Sequence, residues 1–236
     1  MTDTTPTAAD LEALRAFDTP TICNALEIVA PERRGTGYTV EPLECPFPDL
    51  KPIVGYARTA CIRAMLPTTR PGAEMKQQRM AYYEYVAEGP GPTISVIQDM
   101  DGSRRGYGAF WGEVQSHIHR GLGCLGVITD GSIRDIPDWA AGFQALAGRI
   151  GPSHAHVHLQ DFGHTVNVNG MLVSSNDIIH ADQHGAVVVP ASVVTEIPAA
   201  VELLVRREGV ILDAARAPDF DIEALRRAMA DADEIH

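Results

Sequence analysis

The sequence predicts an α/β domain with helices at both ends. Two observations carry that class. Short apolar runs rich in β-branched residues, at 53–65, 93–98 and 124–129, read as strands, and stretches of helical period at 72–89 and 111–120 lie between them. Helical patterns also open the chain, through Leu11, Leu14 and Phe17, and close it, at 193–208 and 221–230. No repeat, low-complexity tract or linker divides the 236 residues, a length that suits one domain.

The elements follow in order. Residues 1–7 are polar and expected to fray. Asp18-Thr19-Pro20 is a helix start, with the acid as cap and the proline in the first turn, leading into TICNALEI. Residues 30–52, rich in Pro, Gly and charge, predict a long surface loop. Ile53 to Met65 predicts a strand of alternating pattern. Gly72 to Gly89 predicts a helix with Met75, Arg79, Tyr82 and Tyr83 on related turns, stopped by Gly89-Pro90-Gly91-Pro92. Thr93 to Gln98 is a second strand, and Asp99 to Ser103 a turn whose Asp99 and Asp101 read as turn formers rather than ligands.

Residues 143–150 fit a strand or a short helix equally. His154, His156 and His158 alternate, so on a strand they would share a face and could hold zinc. No matching carboxylate pattern accompanies them, and the reading preferred is a half-exposed strand at a pocket mouth or subunit contact. Short strands over 171–189 turn at Ser175-Asn176-Asp177 and Gln183-His184-Gly185, and Pro190 ends the sheet region. His180, Asp182 and His184 are turn residues or reach a neighbouring subunit. The two terminal helices pack on the core or on another subunit.

Composition excludes several classes. A net charge of −12 argues against nucleic-acid and anionic-membrane partners, which prefer basic patches. No apolar run approaches a membrane span, and the first residues carry no basic or apolar export signal, so a cytoplasmic protein is expected. Cys23, Cys45, Cys61 and Cys124 are scattered, with no C-x-x-C pair, and read as reduced, mostly buried thiols.

The chemistry is expected in residues 109–139, AFWGEVQSHIHRGLGCLGVITDGSIRDIPDW. Trp111 to Arg120 reads as a helix, Gly121, Gly123 and Gly126 as its break, and Cys124 to Thr129 as a buried strand. Asp130-Gly131 reads as a turn, followed by Arg134-Asp135. GLGCLG matches the dinucleotide-binding glycine pattern, but helix precedes strand here, the reverse of what that site needs. The first-turn amides of the helix are free and favour an anion. Arg134 adds a charged donor fork, and Asp135 a hard oxygen ligand for Mg²⁺ or Mn²⁺. Together these are the parts needed to bind a 2-oxo acid and stabilise its enolate. Arg134-Asp135 alone would more often be a surface ion pair, and Glu113 alone a favourable charge at a helix start.

Glu113, twenty intervening residues and Arg134-Asp135 resemble the acidic-x20-Arg-Asp signature of the RraA-like family. WGE, GVITDGSIRD and the later block VNGMLVSSNDIIHADQHGAVVVP are similar to it too, with Asn176 where the family commonly has Pro-Gly. The resemblance covers about 19–190, leaving about 191–236 as a C-terminal helical extension of a single domain. It implies a swivelling β/β/α sandwich assembled as a trimer or a dimer of trimers, with its site at a subunit interface. It implies a divalent-metal lyase that cleaves 4-hydroxy-4-methyl-2-oxoglutarate or decarboxylates oxaloacetate to give pyruvate. Gly112, Glu113, Val114 and Gln115 would take the substrate carboxylate, Arg134 the keto oxygen, and Asp135 the metal. Glu113 would be a metal-shell or acid–base residue. The family also contains non-catalytic regulators of an RNA-degrading enzyme, and the same metal could serve a lyase or hydrolase on another sugar or oxo acid.

Overall fold

The computed structural model describes residues 5–236; of the fraying expected over residues 1–7, the part over 1–4 lies outside them, whereas Pro6 is buried and Thr7 caps the first helix. A mixed eight-stranded sheet organises the chain. β1 (Ile53–Arg63), β2 (Thr93–Asp99) and β4 (Cys124–Ile133) run parallel at its centre, and β5 (Gln144–Ile150) pairs parallel along the far edge of β4. β3 (Ala109–Trp111) lies beside the last residues of β4, past the end of β2. On the other side of β1, β9 (Ile178–Asp182) covers its first half and β6 (His158–Phe162) its second, both antiparallel. β10 (Gly185–Val189) pairs with β9.

The layers follow from strand alternation. One face of the sheet, with Ile53, Ala57, Ile94, Val96 and Ile128, packs against a two-stranded ribbon of β7 (Val166–Val168) and β8 (Met171–Val173). The opposite face carries the helices. α1 (Ala8–Leu14), α2 (Thr19–Val29) and the first turns of α5 (Ile197–Arg216) cover Val54, Tyr56, Val187 and Val189. α3 (Gly72–Ala87) and α4 (Glu113–Gly121) lie on that face by Ala60, Ile62, Ile97 and Trp111. Ribbon, sheet and helices make the β/β/α sandwich. α6 (Ile222–Asp233) folds back along α5.

Several expectations need correction. β1 does not alternate: its first eight residues are all buried, because it has the ribbon below and helices above. Asp130-Gly131 is not a turn. It lies inside β4 at a register shift against β5, so the glycine forms a bulge in a strand held on both edges. Trp111 belongs to β3, and α4 begins at Glu113. Residues 144–150 are strand. His154 and His156 lie in a loop, turned by the left-handed Ala155, and only His158 enters a strand, so the three share no face. The last helices run Ile197–Arg216 and Ile222–Asp233 rather than 193–208 and 221–230.

His180 and Asp182 are structural. The His180 ring meets Thr19 Oγ1 at 3.0 Å and the Leu14 and Phe17 carbonyls at 3.3 and 3.1 Å; Asp182 accepts from the Thr19 and His184 amides. They fasten β9 to the start of α2. All four cysteines are free, Cys124 buried and the others half-buried. No helix among the described residues is long and apolar enough to cross a membrane.

Candidate functional site

α4 starts at Gly112, an N-cap without a side chain to offer, so the cap itself gives its first amides no side-chain acceptor. The Glu113 N–H points at Asp135 Oδ2, 3.4 Å away, while the Ser116 amide already bonds the Gly112 carbonyl. Val114 and Gln115 are thus left with free first-turn amides. β4 delivers the other half. Its paired run ends at Ile133, the Arg134 amide bonds the Trp111 carbonyl at 3.0 Å, and Asp135 turns the chain in the left-handed region at φ 56°. The turn brings Asp135 Oδ2 to 3.4 Å from Arg134 Nε. The space above Gly112 is filled by this contact: a Cβ at 112 would collide with Asp135 Oδ2 and crowd Arg134 Cγ.

Ser116, fully buried, ties the two halves together. Its hydroxyl donates to the Glu113 carbonyl at 2.8 Å and accepts from the Ala140 amide at 3.0 Å, just after the Arg-Asp turn. Below, His119 anchors α4. Its Nδ1 faces the Gln115 carbonyl at 2.8 Å and therefore carries the proton, so Nε2 accepts from the Tyr82 hydroxyl at 2.9 Å; that hydroxyl also meets Ser95 Oγ at 3.0 Å. Burial holds His119 neutral, with its pKa pushed down to about 4.

The predicted residues are thus brought together, with differences. Gly112, Glu113, Arg134 and Asp135 meet at the helix mouth. The Arg134 and Asp135 side chains are 35% and 39% exposed, so this is an open rim. The Glu113 side chain faces solvent, and Val114 is 66% exposed, offering only its amide. The Gln115 side chain turns away toward Tyr83, whose hydroxyl donates to its Oε1 at 3.1 Å. Among the described residues no three His, Cys, Asp or Glu side chains are grouped to cage a metal. That donor set does not suit zinc. It suits Mg²⁺, which keeps most of its waters and needs one or two carboxylates beside its substrate; Asp135 Oδ1 makes no hydrogen bond within the described residues. His184 lies beside Asp182, and His154 and His156 are exposed loop residues.

The groups that sequence reading missed are Ser116, Tyr82 with His119, and the pair Asp99–Asp130. Only the four-residue spacing of Gln115 and His119 gave any signal. Asp99 accepts from the Asp101 and Gly106 amides and Asp101 from those of Ala64 and Met65, so both shape the loop as turn formers do. Asp130 accepts the Asp99 amide at 2.7 Å, and burial pushes its pKa up to about 6.

Asp130 and His119 pull stability in opposite directions. Asp130 holds its proton more tightly folded than unfolded, so its contribution declines as pH rises from its ordinary 3.8 toward 6. His119 holds its proton less tightly folded, so its contribution grows as pH rises from 4 to its ordinary 6.5. Asp130→Asn is expected to tilt the melting-temperature profile upward with pH over this window. His119→Gln is expected to tilt it downward, each change worth up to about 3 kcal/mol. Parallel profiles for both variants and the parent would refute these environments.

A sequence model of the family described as "RraA-like: Aldolase/RraA" matches residues 19–188. No curated protein sequence matches the chain. Among solved structures, an uncharacterized protein from Pseudomonas syringae is similar, with TM-score 0.71 and 20% identity over 98% of this chain and 97% of that one. Streptomyces coelicolor RraAS2, described as an unusual member of the RNase ES inhibitor RraA protein family, has TM-score 0.68 and 22% identity over 87% and 96%. The RNA-processing inhibitor RraA from Thermus thermophilis has TM-score 0.50 and 16% identity over 70% and 90%.

Proposed function

The chain belongs to the RraA-like family, and from that premise we propose that it is a divalent-metal-dependent lyase that breaks a C–C bond of a 2-oxo acid and releases pyruvate. The observation that carries this reading is the meeting of Arg134, Asp135 and the free amides of α4 around Gly112. The Val114 and Gln115 amides receive the substrate's 1-carboxylate at the positive end of the helix. Arg134 lays its fork on the keto oxygen. Asp135 Oδ1 would hold Mg²⁺, which supplies Lewis-acid polarisation of the 2-oxo group when bound.

With 4-hydroxy-4-methyl-2-oxoglutarate, loss of the C4 hydroxyl proton forms the new carbonyl as the C3–C4 bond breaks. The bonding pair passes into pyruvate enolate, which is then protonated at C3. With oxaloacetate the departing fragment is CO₂. Arg134 gains most of its interaction as negative charge grows on the enolate oxygen, which is where binding lowers a barrier. Glu113, free and at the rim, is the side chain placed to move a proton.

The same reading makes the protein a homo-oligomer, a trimer or a dimer of trimers, in which a neighbouring copy covers the open rim. Val205, Leu212, Phe220, Ile222 and Met229 on α5, α6 and their connection stay 41% to 62% exposed, apolar surface that supports such packing.

The test is pyruvate release from both substrates with Mg²⁺ and with EDTA, on a preparation whose mass is read by light scattering. Release that needs the metal is expected. Folded protein that releases none from either substrate would defeat the lyase reading in favour of a non-catalytic binding role, and a monomeric mass would defeat the assembly.

A further inference from the structure

Behind α4 lies a cavity of about 110 Å³ between α3, α4 and the start of β6. Met75, Phe110 and Leu159 give it apolar walls, and its ionisable lining groups besides the phenol of Tyr82 are Arg79 and His158. No carboxylate lines it, in a chain of net charge −12. His158 is only 8% exposed, and its Nδ1 lies 2.7 Å from the His156 carbonyl, so that nitrogen carries the proton and Nε2 is left without a partner. Beyond the ring, a second cavity bears Arg63 and Asp101, which pair with each other at 3.6 Å; Arg70, at the edge, donates to Gln78 Oε1 and to the Leu159 and Gln160 carbonyls, so Arg79 is the lining guanidinium without a partner among the described residues. Tyr83 occupies Gln115 Oε1, which leaves the Gln115 amide nitrogen free to donate into the same space.

We propose that this cavity is a binding site for a small free carboxylate, separate from the helix mouth. Gln115 joins the two places: its backbone N–H belongs to the helix mouth and its side chain to the cavity. The guanidinium of Arg79 supplies one charged donor and Gln115 a neutral one. His158 adds a buried ring whose Nε2 has no protein partner.

Histidine ring nitrogens of the full-length protein are followed by NMR during titration with acetate, the His158 signal being identified by its loss in His158→Gln. A saturable shift of His158 Nε2 is expected, weakened about tenfold or more in Arg79→Gln, a substitution of an exposed side chain. A small, unsaturating shift equal in both proteins would overturn the subsite. In parallel, Arg79→Gln should keep the parent kcat/KM for pyruvate release from oxaloacetate, and a tenfold or larger loss there would overturn the separation of the two sites. Saturable acetate binding in a protein that releases no pyruvate would sink the lyase reading and keep the subsite.

Discussion

Arg134→Ala is expected to lower kcat/KM for pyruvate release by about two to three orders of magnitude and to leave the melting temperature nearly unchanged. The two halves of that expectation have separate causes. The side chain is 35% exposed and its ion-pair partner, Asp135, is 39% exposed, so the pair contributes at most about 1 kcal/mol to folding. The backbone contact that holds the turn, Arg134 N–H to the Trp111 carbonyl, survives the substitution. What is lost is a donor aimed at charge that exists only as the C–C bond breaks. Arg134→Lys keeps the charge but loses the fork, and should recover only part of the rate. Steady-state kinetics beside thermal melts decide the matter: parent-like turnover in a folded Arg134→Ala protein removes the residue from the reaction.

Gly112→Ala is expected to cost at least about a hundredfold in the same assay, through geometry alone. Gly112 has an extended backbone that any residue adopts, so no strain arises there. The difficulty is volume: the added methyl would occupy the place of Asp135 Oδ2 and press on Arg134. Either the carboxylate swings away from the mouth or α4 retreats from the turn, and both separate the proposed metal ligand from the anion-binding amides. Gly121→Ala, at the other end of the same helix and with open space around it, is the control and should be neutral or slightly stabilising. If both alanine variants keep parent kcat/KM, the close approach at 112 has no part in the chemistry.

The order of helix, glycine break, strand and Arg-Asp was legible because each part has a local cause. Apolar spacing marks α4, Gly123 takes a left-handed φ of 86° after it, and a β-branched run makes β4. Asp130-Gly131 misled because the dipeptide's preference for turns is local, whereas β2 and β5 on either edge of β4 hold it straight and convert the surplus residue into a bulge. The three alternating histidines misled in the opposite way, since alternation means a shared face only on a strand, and Ala155 bends the chain between them. The Ser95–Tyr82–His119 line joins residues from β2, α3 and α4, and Ser116 reaches Ala140 across 24 positions. Such contacts have no period for a sequence to display. Gln115 was predicted as a substrate contact, and its amide is at the mouth; that its side chain serves the opposite side of the helix became visible only with α3 in place.

β4 is bridged on both flanks and buried along nearly its whole length, so among the strands it has few routes for its amides to meet deuterated water short of global opening. Arg134 and Asp135 leave directly from its last rung. Backbone paired on both sides therefore sits next to a solvent-facing rim, and the direction in which the two residues leave the sheet is decided when the chain folds. A visiting molecule has only its own freedom to surrender.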